Sequence, residues 1–299
     1  MKKTTQISIL VILALVIGLY FFYDVKYISP KKYVTRHETL SSEYINDNIE
    51  DLKVLFFSDL EYGEFVDNDR LSNLVKIIND NDPDIVLFGG DLVGEKVILN
   101  DSQKNELTAQ LQNIKAPLGK FAVLGDNDAA IENIKTDVET ILLNSDFEVL
   151  HNTHKTIRNN SPAAINIIGL DNIINGDKNY ENAFSNISTS SYTLVFCHTP
   201  DSALEIDETK TNYFISGHSH GGQINFLFYS YYTPEGAVEF SKGKKNINNN
   251  FIVDVSNGVG TTKKDFRISS NAEVVLFNFA HEDPLPEEID ITELENKND

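Results

Sequence analysis

Residues 213–223 read YFISGHSHGGQ. Four apolar or weakly polar residues of strand-forming type run into a glycine, and two histidines follow at a spacing of two. Such a run reads as a buried strand that delivers imidazoles at its C-terminal end. In an extended strand end, side chains two apart point the same way, which predicts that His218 and His220 face one site. The glycines at 217, 221 and 222 admit tight turns beside them.

Working outward, the same grammar recurs four times upstream. Strand 193–197 ends in His198-Thr199-Pro200, and strand 121–124 leads into Gly125-Asp126-Asn127-Asp128. Strand 85–88 leads into Gly89-Gly90-Asp91-Leu92, and strand 54–57 into Ser58-Asp59-Leu60-Glu61. Taken singly, a Gly-Asp after a strand is a turn and a lone histidine is a hydrogen-bonded structural residue. Five strand ends that each deliver a carboxylate or a histidine point instead to loops gathered at one end of a sheet. Asp59 and Glu61 repeat the spacing of the two histidines.

Further apolar runs at 165–169, 224–228, 251–255 and 274–279 read as strands. Helical periodicity lies between the earlier ones, with Leu71, Leu74, Val75 and Ile78 in one segment. Ile131, Ile134, Val138, Ile141 and Leu142 mark another. Early strands alternate with helices, while the last three follow one another with only turns between. The pattern predicts a mixed α/β (α+β) sandwich of two packed sheets with helices outside. No internal repeat is visible.

Composition narrows the function. The chain of 299 residues carries 45 acidic and 25 basic side chains, a formal net charge of −20. That field repels nucleic acid at long range, so no nucleic-acid partner is expected. A phosphorylated substrate would need local cations to overcome it, and a bound metal is the simplest source. Cys197 is the single cysteine, which excludes an intramolecular disulfide and a cysteine zinc cluster.

At the N-terminus Lys2 and Lys3 precede ISILVILALVIGLYFFY (7–23), an apolar run of about 17 residues that ends in an aromatic belt. No Ala-x-Ala cleavage site follows, so an uncleaved signal anchor at 1–23 is favoured over a cleaved signal peptide or a core helix. Lys2 and Lys3 place the N-terminus inside and the bulk of the chain on the extracytoplasmic side, although Lys26, Lys31, Lys32 and Arg36 compete. Residues 24–50 read as a polar stalk in which 33–36 could pair as an edge strand. The main domain spans 51–280, and 281–299 is an acidic tail of disordered composition.

The ordered blocks resemble the five motifs of the calcineurin-like metallophosphoesterases: Asp-x-His, Gly-Asp, Gly-Asn-His-Asp, His and Gly-His-x-His. GHSHGGQ (217–223) is the most specific, and VLFGGDL (86–92) and FCHTP (196–200) match well. VSNGVGTTKKDFR (255–267) resembles the segment that closes the sheet in the membrane-associated bacterial branch. The resemblance implies a four-layer αββα sandwich and a pair of metal ions bridged by Asp91 and a hydroxide that attacks phosphorus. One ion would take Asp59, Asp91, His220 and the position held by Glu61. The other would take Asp91, His198, His218 and the position held by Asp126. Asn127 and Asp128 would stand at the catalytic positions.

Three positions depart from the family pattern. Glu61 replaces the histidine of Asp-x-His, Asp126 the asparagine of Gly-Asn-His-Asp, and Asn127 its histidine. Two added carboxylates move the formal charge of a site with two divalent ions and one hydroxide from one positive to one negative. Oxygen-rich donors suit hard cations, so Mn or Fe is expected ahead of Zn or Mg. Asn127 donates a hydrogen bond but cannot deliver a proton, which favours phosphodiester or pyrophosphate-type substrates whose leaving groups are stable as anions. A metal-binding pseudoenzyme that recognises a phosphorylated envelope component is the alternative. The anchor points to a lipid-linked or cell-wall phosphate ester, or a phosphorylated small molecule, as substrate. His151 and His154 read as surface residues outside the site.

Overall fold

The computed structural model describes residues 3–45, 49–158, 164–226, 229–248 and 251–282. The acidic tail from 283 onward, and the end of the strand expected over 224–228, lie outside them.

Apolar strands with no polar alternation must be covered on both faces, and two six-stranded sheets provide this. The first holds β1 (Val34–Ser42), β2 (Lys53–Phe57), β3 (Ile85–Phe88), β4 (Gly119–Ala122), β5 (Phe147–Val149) and β14 (Glu273–His281), in the order β1-β14-β2-β3-β4-β5. The second holds β6 (Thr153–Ile157), β7 (Ile165–Leu170), β8 (Tyr192–Cys197), β9 (Tyr213–Ser216), β12 (Gly243–Asn248) and β13 (Phe251–Val255), in the order β12-β13-β9-β8-β7-β6. A short hairpin, β10 (Asn225–Phe226) and β11 (Tyr229–Ser230), stands apart from both.

The sheets pack face to face over Val54, Phe56, Leu87 and Phe277 from the first and Ile167, Leu194, Phe196 and Ile215 from the second. Truncating such a side chain to alanine costs about 2–5 kcal/mol. Arg36 on β1 also ties the sheets by a two-pronged ion pair to buried Asp254 on β13 (2.9 and 3.1 Å) and a third bond to Glu273 (3.2 Å).

Helices α2 (Asn68–Asp80), α3 (Asp101–Gln112) and α5 (Glu132–Asn144) cover the outer face of the first sheet with Leu71, Leu74, Leu107, Val138 and Ile141. Asp67 caps α2 by accepting the Arg70 N–H, and Asn100 with Gln103 forms a reciprocal capping box on α3. On the outer face of the second sheet the helical layer is reduced to single 3₁₀ turns, Glu181–Phe184 and Pro200–Leu204. With Tyr180 and Phe240 they cover Ile168, Val195, Phe214 and Val253.

Within each sheet the strands that carry the candidate residues are parallel: β2, β3 and β4 in one, β8 and β9 in the other. Their C-terminal ends therefore share one edge, where open α/β sheets place ligands.

Helix α1 (Lys3–Tyr23) buries none of its residues. It is long and apolar enough to cross a membrane, and its helical path continues to Lys31. The region expected as a stalk is partly built into the domain. β1 runs parallel to β14 across nine residue pairs, and it lacks sequence alternation because it forms an edge with mixed exposure.

Candidate metal centre

Asp59 follows β2, Asp91 follows β3, and Asp126 opens the single-turn helix α4 (Asp126–Ala129) after β4. His198 follows β8, while His218 and His220 follow β9. The extended geometry expected for the paired residues is not what brings them in. Asp59, Glu61, Asp91, His218 and His220 all have left-handed backbone, with φ of 58°, 53°, 57°, 68° and 50°. Each such residue costs on the order of 1–3 kcal/mol and persists only where its surroundings overdetermine it. His218 and His220 are accordingly aimed at different groups of carboxylates rather than one.

The surroundings supply that determination. The His218 N–H donates to Asp59 Oδ1 (2.8 Å), the Asn127 N–H to Asp91 Oδ1 (3.0 Å) and the Glu61 N–H to the Asp91 carbonyl (3.1 Å). Close approach needs glycine at two points. A Cβ on Gly125 would lie 1.9 Å from Asp91 Oδ1, and one on Gly217 would lie 2.4 Å from Asp59 Oδ2. From the far side Gly260 N–H donates to the Asp59 carbonyl (2.6 Å) and Val259 N–H to that of Ser58 (2.9 Å). Buried Arg267 holds this loop by its carbonyls at Asn257 and Gly258 (2.8 and 3.0 Å), and the Gln223 amide grips Thr262 and Lys264.

Asp91, Asp126, His198 and His218 each direct one donor atom into a space where all four lie within 4.8 Å of one another. His198 donates its Nδ1–H to the Gly89 carbonyl (2.8 Å), which leaves Nε2 bare. His218 donates its Nε2–H to the Glu235 carbonyl (2.7 Å), which leaves Nδ1 bare. These two bare nitrogens are 3.1 Å apart and lie 3.1 and 3.0 Å from Asp126 Oδ1, an oxygen with no hydrogen-bond donor. Four lone pairs facing one another repel unless a cation sits among them, so the donor set fits a metal ion. Burial opposes charge on His198, yet Asp91 and Asp126 outweigh it and hold its pKa well above the ordinary value. The same negative potential that would draw a proton there draws a metal.

The second group is Asp59, Glu61 and His220. His220 Nε2 lies 3.5 Å from Glu61 Oε1 and 3.7 Å from Asp59 Oδ1. Burial lowers the His220 pKa to about 4, so the ring is neutral and able to ligate. Burial, then the neighbouring Asp91 and Asp59 charges, pushes Glu61 well above the usual carboxylate range. A cation beside Glu61 and Asp59 would relieve that repulsion, and with Asp91 between the groups the residues fit a second ion.

Asn127 stands at the junction. Its Nδ2 donates to Asp91 Oδ2 (3.0 Å) and lies 3.4 Å from both Glu61 oxygens. Asp128, expected at a catalytic position, turns inward instead. Its oxygens accept the N–H groups of Leu92 (2.9 Å) and Gly125 (3.0 Å), and it is fully buried. Those bonds tie the loop after β3 to the loop after β4. His151 pairs with Asp171 (3.0 Å) and His154 bonds the Ala183 carbonyl (3.0 Å); neither enters the site.

A cleft of about 360 Å³ opens beside Asp126 and Asn127, lined also by Lys96, Lys263, Tyr232 and Ile174. The Tyr232 ring stacks edge-on to His220 at 5.6 Å, with Lys263 Nζ 5.1 Å from its centre. Sequence reasoning missed Tyr232, because an aromatic on a hairpin carries no local sign of what it will face. A larger cavity of about 540 Å³ lies by Thr193 and Asn212, at the opposite ends of β8 and β9 and away from these donors.

A metallophosphoesterase of Bacillus subtilis, YkuE, is 27% identical over 254 residues, covering 84% of this chain and 87% of its own. A Danio rerio transmembrane protein with metallophosphoesterase domain is 24% identical over 243 residues, 78% of this chain and 54% of its own. The UDP-2,3-diacylglucosamine pyrophosphatase LpxG of Chlamydia muridarum is 24% identical over 220 residues, 58% of this chain and 65% of its own. The family model described as calcineurin-like phosphoesterase matches residues 52–222, more than half of the sequence, so the chain belongs to that family.

Proposed function

We propose that this protein hydrolyses phosphodiester or pyrophosphate-type bonds with two metal ions, on a substrate presented at a membrane. The observation that carries the reading is the convergence of Asp91, Asp126, His198 and His218 with the outer nitrogens of both histidines tied to backbone carbonyls. Nothing in the fold or the family relationship favours a metal-binding pseudoenzyme over an enzyme. Asp91, Asp126, His198 and His218 would hold one ion, and Asp59, Glu61, Asp91 and His220 the other. Bound there, the ions would polarise a phosphoryl oxygen and lower the pKa of a water. The carboxylate oxygens favour Mn or Fe over Zn, and the three imidazoles favour them over Mg.

Asn127 governs the leaving group. Its amide donates to Asp91 and has no proton to give, so a departing alkoxide goes unassisted. Aryl and phosphoanhydride leaving groups are expected to depart fastest. Lys263 and Lys96 beside the cleft offer positive charge for a second phosphate, in keeping with a relative named as a pyrophosphatase of an acylated sugar nucleotide. Helix α1 is read as the anchor, with the domain on the extracytoplasmic side.

The test uses the full chain in nanodiscs, stripped of metal and reloaded separately with Mn, Fe, Zn or Mg. Turnover of an aryl phosphodiester and of a diphosphate diester is compared with that of an alkyl monoester. Mn- or Fe-dependent cleavage of the first two, about 10²-fold or more faster than of the third, is expected. Retention of metal with no turnover of any of them would overturn the reading.

A further inference from the structure

Among the described residues outside α1, the two most exposed aromatic side chains sit on paired strands. Phe226 is 69% exposed and Tyr229 is 66% exposed, and they are cross-strand partners on β10 and β11, so their rings share a face. Tyr231, the next aromatic along, is 38% exposed. A single exposed apolar residue needs no explanation, but a cluster beside a catalytic centre marks a contact surface.

The base of this hairpin is tied to the strap that receives the end of α1. Ile224 bridges Ile268, and the Asn225 N–H donates to the Ile268 carbonyl (2.9 Å). Two residues earlier on the strap, the Phe266 ring lies 6.4 Å from Phe22 in the last turn of α1, and the Arg267 N–H reaches the Val25 carbonyl (3.4 Å). Two residues span at most roughly 7 Å, so hairpin base and anchor end are close neighbours. Charge agrees with this placement. Lys31 and Lys32 after the anchor, and Lys263 and Lys264 on the strap, are all exposed here although the chain carries a net charge of −20. Two residues beyond β11 comes Tyr232, whose ring meets His220.

We propose that Phe226 on β10 and Tyr229 on β11 enter the headgroup region of the bilayer leaflet from which α1 emerges. The metal centre then meets its phosphate ester on a lipid headgroup rather than in bulk water. This inference rests on the reading of α1 as an anchor. The partner is a lipid surface because the patch is continuous with the end of that helix and bordered by lysines, which suits phosphate-bearing headgroups.

The chain has no tryptophan, so single substitutions give unambiguous fluorescence reporters. Phe226→Trp and Tyr229→Trp probe the hairpin, and Ile12→Trp probes the anchor. Leu143→Trp, 70% exposed at the far end of α5, is the control. That position lies roughly 18 Å along the helix from Ile131, which lines the cleft. The full chain is placed in nanodiscs whose phospholipids carry nitroxides at graded depths. Tryptophan at 226 and 229 is expected to be quenched at a depth of about 5–10 Å, the one at 12 by deeper labels, and the one at 143 by none. Quenching at 12 with none at 226 and 229 would overturn the hairpin contact and leave the anchor standing. No quenching at 12 would overturn the anchor and the inference with it. A blue-shifted but unquenched signal at 226 would assign the hairpin to another protein surface, also against the proposal.

Discussion

The two sides of the metal centre reach the same end by opposite means. On the histidine side, His198 and His218 are locked by backbone carbonyls at their outer nitrogens, and their inner nitrogens stand 3.1 Å apart. On the carboxylate side, Glu61 is buried against Asp59 and Asp91 with its proton affinity raised, and His220 faces Glu61 and Asp59 from 3.5 and 3.7 Å. The first side is organised before a cation arrives. The second is organised by like charges that only a cation or a proton can reconcile. The difference teaches that backbone hydrogen bonds set ligand geometry, whereas crowded carboxylates set ligand demand.

Asp91 is proposed to serve both sides, so its loss has the largest expected effect. Asp91→Ala should lower turnover by at least about 10³-fold and remove both ions by elemental analysis. Loss of one ion with the other retained would show that the two sides are independent. Asn127 touches the residues that join the sides, and Asn127→His should restore a proton donor. Cleavage of an alkyl ester should rise by about 10²-fold and that of an aryl ester far less; equal gains would refute the leaving-group argument.

Direct comparison of the sides comes next. His198→Gln should weaken the ion on the histidine side by about 10–100-fold in titration calorimetry, while Glu61→Gln should spare that ion and weaken the one on the carboxylate side by a similar factor. A common loss in both variants would erase the distinction. The smallest effect is expected at the rim of the histidine side, where Asn175 of the loop begun by Asp171 holds the Asp126 carbonyl (2.9 Å). His151 buttresses that loop, and its hydrogen bond to Asp171 raises its pKa, with burial opposing. A raised histidine pKa stabilises fully below the unfolded value of about 6.5 and is lost as pH climbs through the folded one. His151→Gln should therefore lower stability by under about 1 kcal/mol near pH ~5.5 and by nothing measurable near pH ~9, read from urea midpoints.

Legibility followed burial. The strands at 54–57, 85–88, 193–197 and 213–216 were plain because each is covered on both faces and must be apolar throughout. β1, β5, β6 and β12 were read in part or not at all, and all four are edge strands. An edge keeps one row of backbone groups and much of its side-chain surface in water, so β1 and β12 carry charged and amide residues that look like loop. Helix α3 escaped for a related reason: it buries only Leu107 and Leu111.

The chemistry of the centre was present in the sequence as residue types at strand ends, because metal ligation draws on few side chains and turns demand glycine beside them. Asp59, Asp91, Asp126, His198, His218 and His220 stand out by type at strand ends, while the departure at Asn127 is visible only against the motif pattern of the family that the sequence resembles. Tertiary structure decided which imidazole nitrogen is bare, since that depends on a carbonyl supplied by Gly89 or Glu235 elsewhere in the chain. It also turned Asp128 inward, brought Tyr232 over His220 and set the end of α1 against Phe266, two residues from the Ile268 that pairs with Ile224. A residue's chemistry is its own, but its direction and protonation belong to the neighbours that packing brings to it.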